Sequence, residues 1–217
     1  MKSLIDHSSR VAAIAFAVFS IHTAYALPEE PSTQQIDRMT DAVIQAFPME
    51  KMIAATEARN PNWPMAKAPS LAIAQKLACV RKELANGPMR QWKRDEVVAY
   101  AKLHGARFEQ DITLVEIAAP AFGKLVMAGF ESAASGEQVD LADLLASMTP
   151  EQKAAMVQLN KDPEMSPLRD LIGIGNAKGD DMHQGSNHEV TAVMGASGLK
   201  LLTRTMKDCD VAPGTLK

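Results

Sequence analysis

DEVVAYAKLHGARFEQDITLVEIAAPAFGKLVMAGFESAA, residues 95–134, decides the fold. Ile112, Val115, Ala119, Phe122, Val126 and Phe130 recur at helical spacing, and Leu114, Ile117, Ala121 and Leu125 form a second stripe beside them. A helix apolar on more than one side is enclosed by neighbours rather than laid on a surface. Pro120 lacks an amide donor and crowds the carbonyl one turn back, which predicts a kink or a break there. Gly105 marks a candidate joint, because glycine weakens a helix interior by about 1 kcal/mol relative to alanine.

The flanking sequence continues in the same idiom. Ser32 or Thr33 is placed to cap a helix through Ile36, Met39, Val43 and Phe47. Pro48 suits the first position of a second helix, with Met49, Met52 and Ile53. A loop around Asn60-Pro61-Asn62-Trp63-Pro64 follows, with Trp63 either a lid over the core, the simpler reading, or an exposed contact. Ser70 starts a helix whose stripe is Leu71, Ala74, Leu77, Ala78 and Leu84, and Asn86-Gly87-Pro88 is expected to stop it. Beyond Ser135-Gly136, Asp140 is placed to cap a short helix. Thr149-Pro150-Glu151-Gln152 is the clearest helix start in the chain, with a capping hydroxyl, a proline where no donor is needed, an acid at the positive end and Gln at N3. Asp162-Pro163 ends that helix and Ser166-Pro167 begins another. Residues 173–185 read as a loop, and Asn187 is placed to cap a last helix. No stretch alternates like a strand. The fold class is all-α, a compact bundle of about seven or eight helices.

Residues 1–26 have the plan of a secretory signal peptide: Lys2 and Arg10, an apolar run Val11–Ile21, and Ala24-Tyr25-Ala26 as a cleavage site. The apolar run is shorter than the ~20 residues that span a bilayer, so no stable membrane anchor is expected. Cleavage after Ala26 leaves 191 of the 217 residues: a spacer over 27–33 and a single helical domain over 34–217, in the periplasm or secreted. Loss of Lys2, Arg10 and Asp6 takes the formal net charge from −3 to −4. That balance argues against nucleic acid as a partner, which calls for a concentrated basic surface.

Cys79 and Cys209 are the only cysteines. In an oxidising compartment such a pair is most simply a disulfide. Closing so long a loop restricts the unfolded chain by roughly 5 kcal/mol on the chain-entropy model. It would tie the C-terminal tail to an early helix.

Two places share one plan: an acid-bearing helix start, a short apolar helix, then proline followed by a basic residue and Leu. The first runs from Glu109-Gln110-Asp111-Ile112 to Ala119-Pro120-Ala121-Phe122-Gly123-Lys124-Leu125. The second runs from Thr149-Pro150-Glu151-Gln152 to Met165-Ser166-Pro167-Leu168-Arg169-Asp170-Leu171. The plan resembles a family of secreted bacterial all-helical proteins defined as a domain of unknown function, whose members carry Thr-x-Glu-Glu followed by Phe-x-x-Ser-Pro-x-Gly-x-Lys. The resemblance implies an exported all-helical domain and supplies no catalytic residues.

For chemistry, the densest polar group is Asp180, Asp181, His183, His188 and Glu189. Carboxylates and imidazoles suit zinc or manganese, with Asp180, His183 and His188 as ligands of a metal-dependent hydrolase. A solvated loop and an ordinary helix start explain the same grouping, and the second His of a zinc-protease helix is missing. Gly173-Ile174-Gly175-Asn176-Ala177-Lys178-Gly179 lacks the ending of a phosphate loop, and Gly195-Ala196-Ser197-Gly198 is not a hydrolase elbow. Of 13 methionines only Met1 lies in the signal; Met49/Met52 and Met148/Met156 either fill the core or line an adaptable groove. The expectation is a non-enzymatic periplasmic domain with no cofactor that binds another protein, in one version as an immunity or inhibitor protein. The metal-dependent hydrolase is the alternative.

Overall fold

The computed structural model describes residues 30–63, 70–137, 139–174 and 201–212, and among them every regular element is helical. The first is α1 (Thr33–Ala46), capped by a full capping box between Ser32 and Gln35. Next come α2 (Met49–Arg59) and α3 (Leu71–Glu83). α4 (Asn86–His104) leads through the 3-10 turn Gly105–Arg107 into α5 (Phe108–Ser135). The chain continues with α6 (Leu141–Ala146), α7 (Pro150–Lys161), the 3-10 turn Pro163–Met165 and α8 (Ser166–Ile172). Residues 201–208 are helical as well.

Local chemistry accounts for most of these boundaries. Thr149 and Gln152 make the anticipated capping box at α7, and Asp140 accepts from the amides of Ala142 and Asp143 at α6. Gly136 adopts φ +77° directly after α5, a left-handed conformation that glycine enters without steric cost. Two expectations need correction. Asn86-Gly87-Pro88 does not stop α3; it forms the first turn of α4, where proline's missing donor would have had no partner anyway. Pro48 is the N-cap of α2 rather than its first residue. At Pro120 the break, one of the two expected outcomes, does not occur: α5 runs through it, flanked by the buried Ala118, Ala119, Ala121 and Phe122, whose packing holds the helix across the lost bond. The joint falls at Gly105–Arg107, where Gly105 had marked a candidate.

α5 is the axis of the bundle. α1 lies along it, α4 also packs on α1, α7 covers another side, and α8 closes against α1 and α4. Their shared core includes Met39, Val43, Val97, Phe108, Ile112, Val115, Phe122, Leu159, Leu168 and Ile172. By length and apolar composition alone Gly87–Ser135 would pass for a membrane span, yet the inward faces of α4 and α5 are occupied by this core. Gly123 brings α5 hard against α1: a methyl group there would run into the Gln45 backbone carbonyl.

A second, separate core gathers Phe47, Met49, Val80, Leu84, Met89, Val126, Leu201, Met206, Cys209 and Val211. It is closed by the anticipated Cys79–Cys209 disulfide, with Cα atoms 5.8 Å apart and 130 residues between them in sequence. Trp63 and Trp92 pack against it, partly buried. Along α3, Leu77, Val80 and Leu84 face inward whereas Ala74 and Ala78 face water, so the inward stripe is narrower than its spacing suggested. Met49, Met148 and Met156 are buried and Met52 packs on the second core, so these methionines fill cores. The two stretches that shared a sequence plan differ in structure. Pro120 is mid-helix with Lys124 exposed after it, while Pro167 sits in the first turn of α8 with Arg169 buried.

Candidate functional site

The densest buried polar network among the described residues forms where α4 turns into α5. Tyr100 lies one turn before the end of α4, Arg107 closes the 3-10 turn, and Asp111 sits in the first turn of α5, four residues after Arg107. Asp111 is only 2% exposed. The Tyr100 hydroxyl donates to its Oδ2 at 2.6 Å, and Arg107 Nε donates to Oδ1 at 3.0 Å and Oδ2 at 3.1 Å. A carboxylate this deep in a helical core persists because its charge is paired and its oxygens are hydrogen-bonded. The Tyr100 ring is boxed by His104 and Phe108, with centroids 4.4 and 6.3 Å away.

The electrostatics follow from that arrangement. Burial, then the hydrogen bond to Asp111 and its negative charge, push the Tyr100 phenol far above its usual range. Burial opposes the Arg107 charge, but the Asp111 hydrogen bond and the Asp111 charge, with a smaller contribution from Glu164, outweigh it. The phenol is therefore held neutral and the guanidinium charged. Both Asp111 oxygens are engaged, by the Tyr100 hydroxyl and by Arg107. Arg107 Nη2 points 2.9 Å from the Met165 sulfur, a weak acceptor that leaves the fork's outer end lightly used.

This network forms one wall of an open cleft of about 360 Å³ between α5, α7 and the Pro163–Met165 turn. Gln110, Thr113, Leu114 and Ile117 line it from α5 at helical spacing, Gln158 from α7 and Met165 from the turn. Ile117 is 38% exposed, an unusual position for a large apolar side chain on the central helix. The lining thus mixes a mutually neutralised ion pair, two amides, a hydroxyl and three apolar side chains. It offers hydrogen bonds and apolar contact, and no activated nucleophile.

Two further polar clusters tie the bundle together. Arg38 of α1 makes a two-pronged contact with Glu116, at 2.9 and 2.7 Å, and a third bond of 2.7 Å to Glu109, which also accepts from Gln35. Arg169 of α8 is buried and donates to the Leu159 and Asp162 carbonyls at 2.7 and 2.9 Å, satisfying orphan acceptors at the end of α7. Both are structural in character.

Asp180, Asp181, His183, His188 and Glu189 lie outside the described residues, as do Gly175–Gly179 and Gly195–Gly198 of the two glycine-bearing stretches. Among the described residues no group of three or more His, Cys, Asp or Glu side chains is placed to hold a metal ion. The Asp111 network was not singled out from sequence. Its signal is an acid at the edge of an apolar helix, four residues after an arginine and eleven after a tyrosine. No protein-family model, curated protein or solved structure matches this chain.

Proposed function

We propose that this protein is an exported, non-enzymatic binding domain whose α5–α7 cleft receives a peptide segment of another protein. The observation that carries this reading is the cleft lining. Its two charged groups, Arg107 and Asp111, are paired to each other, and the rest of the wall offers amides, a hydroxyl and apolar side chains. Gln110, Thr113 and Gln158 are the types of group that pair with a peptide backbone, while Leu114, Ile117 and Met165 suit a small apolar side chain between those bonds. A catalytic site would call for an acid, base or nucleophile with free capacity. An immunity or inhibitor protein is one concrete form of the proposal, and export through residues 1–26 belongs to it.

The test places a photo-crosslinking residue at position 117 in the full chain and exposes it to periplasmic extract and to secretions of competing bacteria. The same residue at the exposed Lys102 position serves as the control. One protein crosslinked from position 117 and not from 102 supports the reading. Equal crosslinking from both positions, or none from either, overturns it. Zinc or manganese bound stoichiometrically by the same sample, and lost on His183→Ala and His188→Ala, would transfer the assignment to a metal-dependent hydrolase.

A further inference from the structure

The second core is assembled unlike the first. The first is made by α1, α4, α5, α7 and α8 packing on one another, and no residue of it belongs to the second. In the second, residues 201–212 are laid against α3 and the α2 side of the molecule. Besides Cys209 itself they contribute the apolar anchors Leu201, Met206 and Val211 and the partly buried Leu202 to hold twelve ordered residues. Fixing that much backbone is costly, and so few buried side chains do not offset it unaided. What holds the segment is a clasp at one point: the Cys79–Cys209 bridge, with Lys76 Nζ one turn away donating to the Asp210 carbonyl and carboxylate at 2.6 and 2.8 Å. Asp210 is 96% exposed at its side chain, so water screens that ion pair and the covalent bond carries the closure.

We propose that the Cys79–Cys209 bridge is a redox-operated clasp: its reduction frees residues 201–212 from α3 and opens the second core, while the first core keeps its packing. Access favours attack at Cys79. Its residue is partly exposed on α3, next to the exposed Ala74, Lys76, Ala78 and Lys82, whereas Cys209 is buried. A lysine beside the attacked sulfur also favours an incoming thiolate. The chemistry is ordinary exchange with a dithiol reductant. Its thiolate attacks Cys79 Sγ, the S–S bond breaks, and Cys209 leaves as a thiolate that takes up a proton. The second thiol of the reductant then displaces Cys79, so the protein gains two electrons and two protons and the reductant departs as its own disulfide. The freed surface is apolar, with Met49, Met89 and Trp92 no longer covered from the C-terminal side.

Both tryptophans of the chain, Trp63 and Trp92, pack on the second core, and Arg204 lies 5.7 Å over the Trp92 ring. Tryptophan emission therefore reports on this half of the molecule. The oxidised full chain is titrated with dithiothreitol at neutral pH while emission, far-UV circular dichroism and amide hydrogen exchange are followed. The clasp predicts a red shift in emission, exchange at least tenfold faster in residues 201–208, and unchanged protection of residues 108–122 in α5, all reversed on reoxidation. Unchanged emission with unchanged exchange in 201–208 overturns it, because the segment then holds without the bridge. Faster exchange in α5 together with loss of the helical signal also overturns it, because the bridge then supports the whole fold. A Cys79→Ser chain that folds should show the reduced pattern without dithiothreitol and no response to it. The titration of pre-formed protein decides the question where that variant does not fold.

Discussion

Asp111 is the residue whose removal should be felt most sharply. Taking away its carboxylate strands the Tyr100 hydroxyl and deprives a partly buried Arg107 of its counter-charge. Asp111→Ala is expected to cost about 2–4 kcal/mol, below the full value for a buried ion pair because Arg107 keeps some contact with water. Tyr100→Phe, which leaves the ion pair intact, should cost about 1 kcal/mol. Urea unfolding at neutral pH measures both, and near-equal losses would contradict the geometry. The same network sets an alkaline limb. Because the phenol is raised in the folded state, the unfolded chain loses its proton first. The associated stability is fully present below the ordinary tyrosine range of about 10 and is lost as pH climbs beyond it. Tyr100→Phe should flatten the decline in stability above about pH 10, read from urea midpoints across an alkaline series. In the sequence these residues were hard to see for a physical reason. Asp111 lies at the mouth of an apolar run where an acid reads as an N-terminal charge complement. Its depth depends on α4 folding back across the joint, which no local pattern specifies.

At the scale of elements, helix starts were the most legible feature, because a cap is a conversation among four neighbouring residues. Thr149 with Gln152 forms the reciprocal bonds its spacing announced, and Ser32, one of two candidate caps, forms the same box with Gln35. Thr149→Ala should cost about 1 kcal/mol, measurable as a shift in the thermal midpoint. An effect indistinguishable from zero would mean that the end of α7 is held by packing alone. Helix interiors were less legible. Pro120 obeys its local preference only until packing on both sides outweighs it, and Asn86-Gly87-Pro88 reads equally as an end or a beginning. Pairing between elements was hidden altogether. Gly123 gave no local sign that it is the point where α5 meets the α1 backbone. Gly123→Ala should separate the two helices and destabilise by about 1–3 kcal/mol, the usual range for overpacking against an unyielding neighbour. At Gly129, where an added methyl meets nothing, Ala should be neutral or mildly stabilising, so equal effects at the two sites would remove the argument.

For the whole molecule, fold class followed from composition and periodicity, and the disulfide from the expectation that a lone pair of cysteines bridges in an oxidising compartment. The division into two cores did not follow, since it depends on which faces of α3, α4 and α5 are shared with residues 201–212. The cleft was likewise out of reach, being framed by α5, α7 and a turn that only tertiary packing brings together. One whole-molecule property remains tied to pH. Glu109 is held below the ordinary glutamate range, first by Gln35 and then by Arg38, both on α1. A lowered carboxyl contributes stability that is present above its unfolded range and lost as pH falls through the folded value. Glu109→Gln should therefore soften the acid limb below about pH 4, modestly because the group is half exposed. An acid limb identical to the parent's would show that the Glu109 contacts add nothing to the hold of α1 on α5.

The pairing of α1 with α5 also governs when the chain can fold. α1 leaves the ribosome early, but the Glu116 side chain that meets Arg38 lies 78 residues further on. At cellular elongation rates that is a wait of roughly 4 to 16 seconds. Throughout it Ile36, Met39 and Val43 lack the α5 side chains that cover them, so the first core cannot close before α5 has been made.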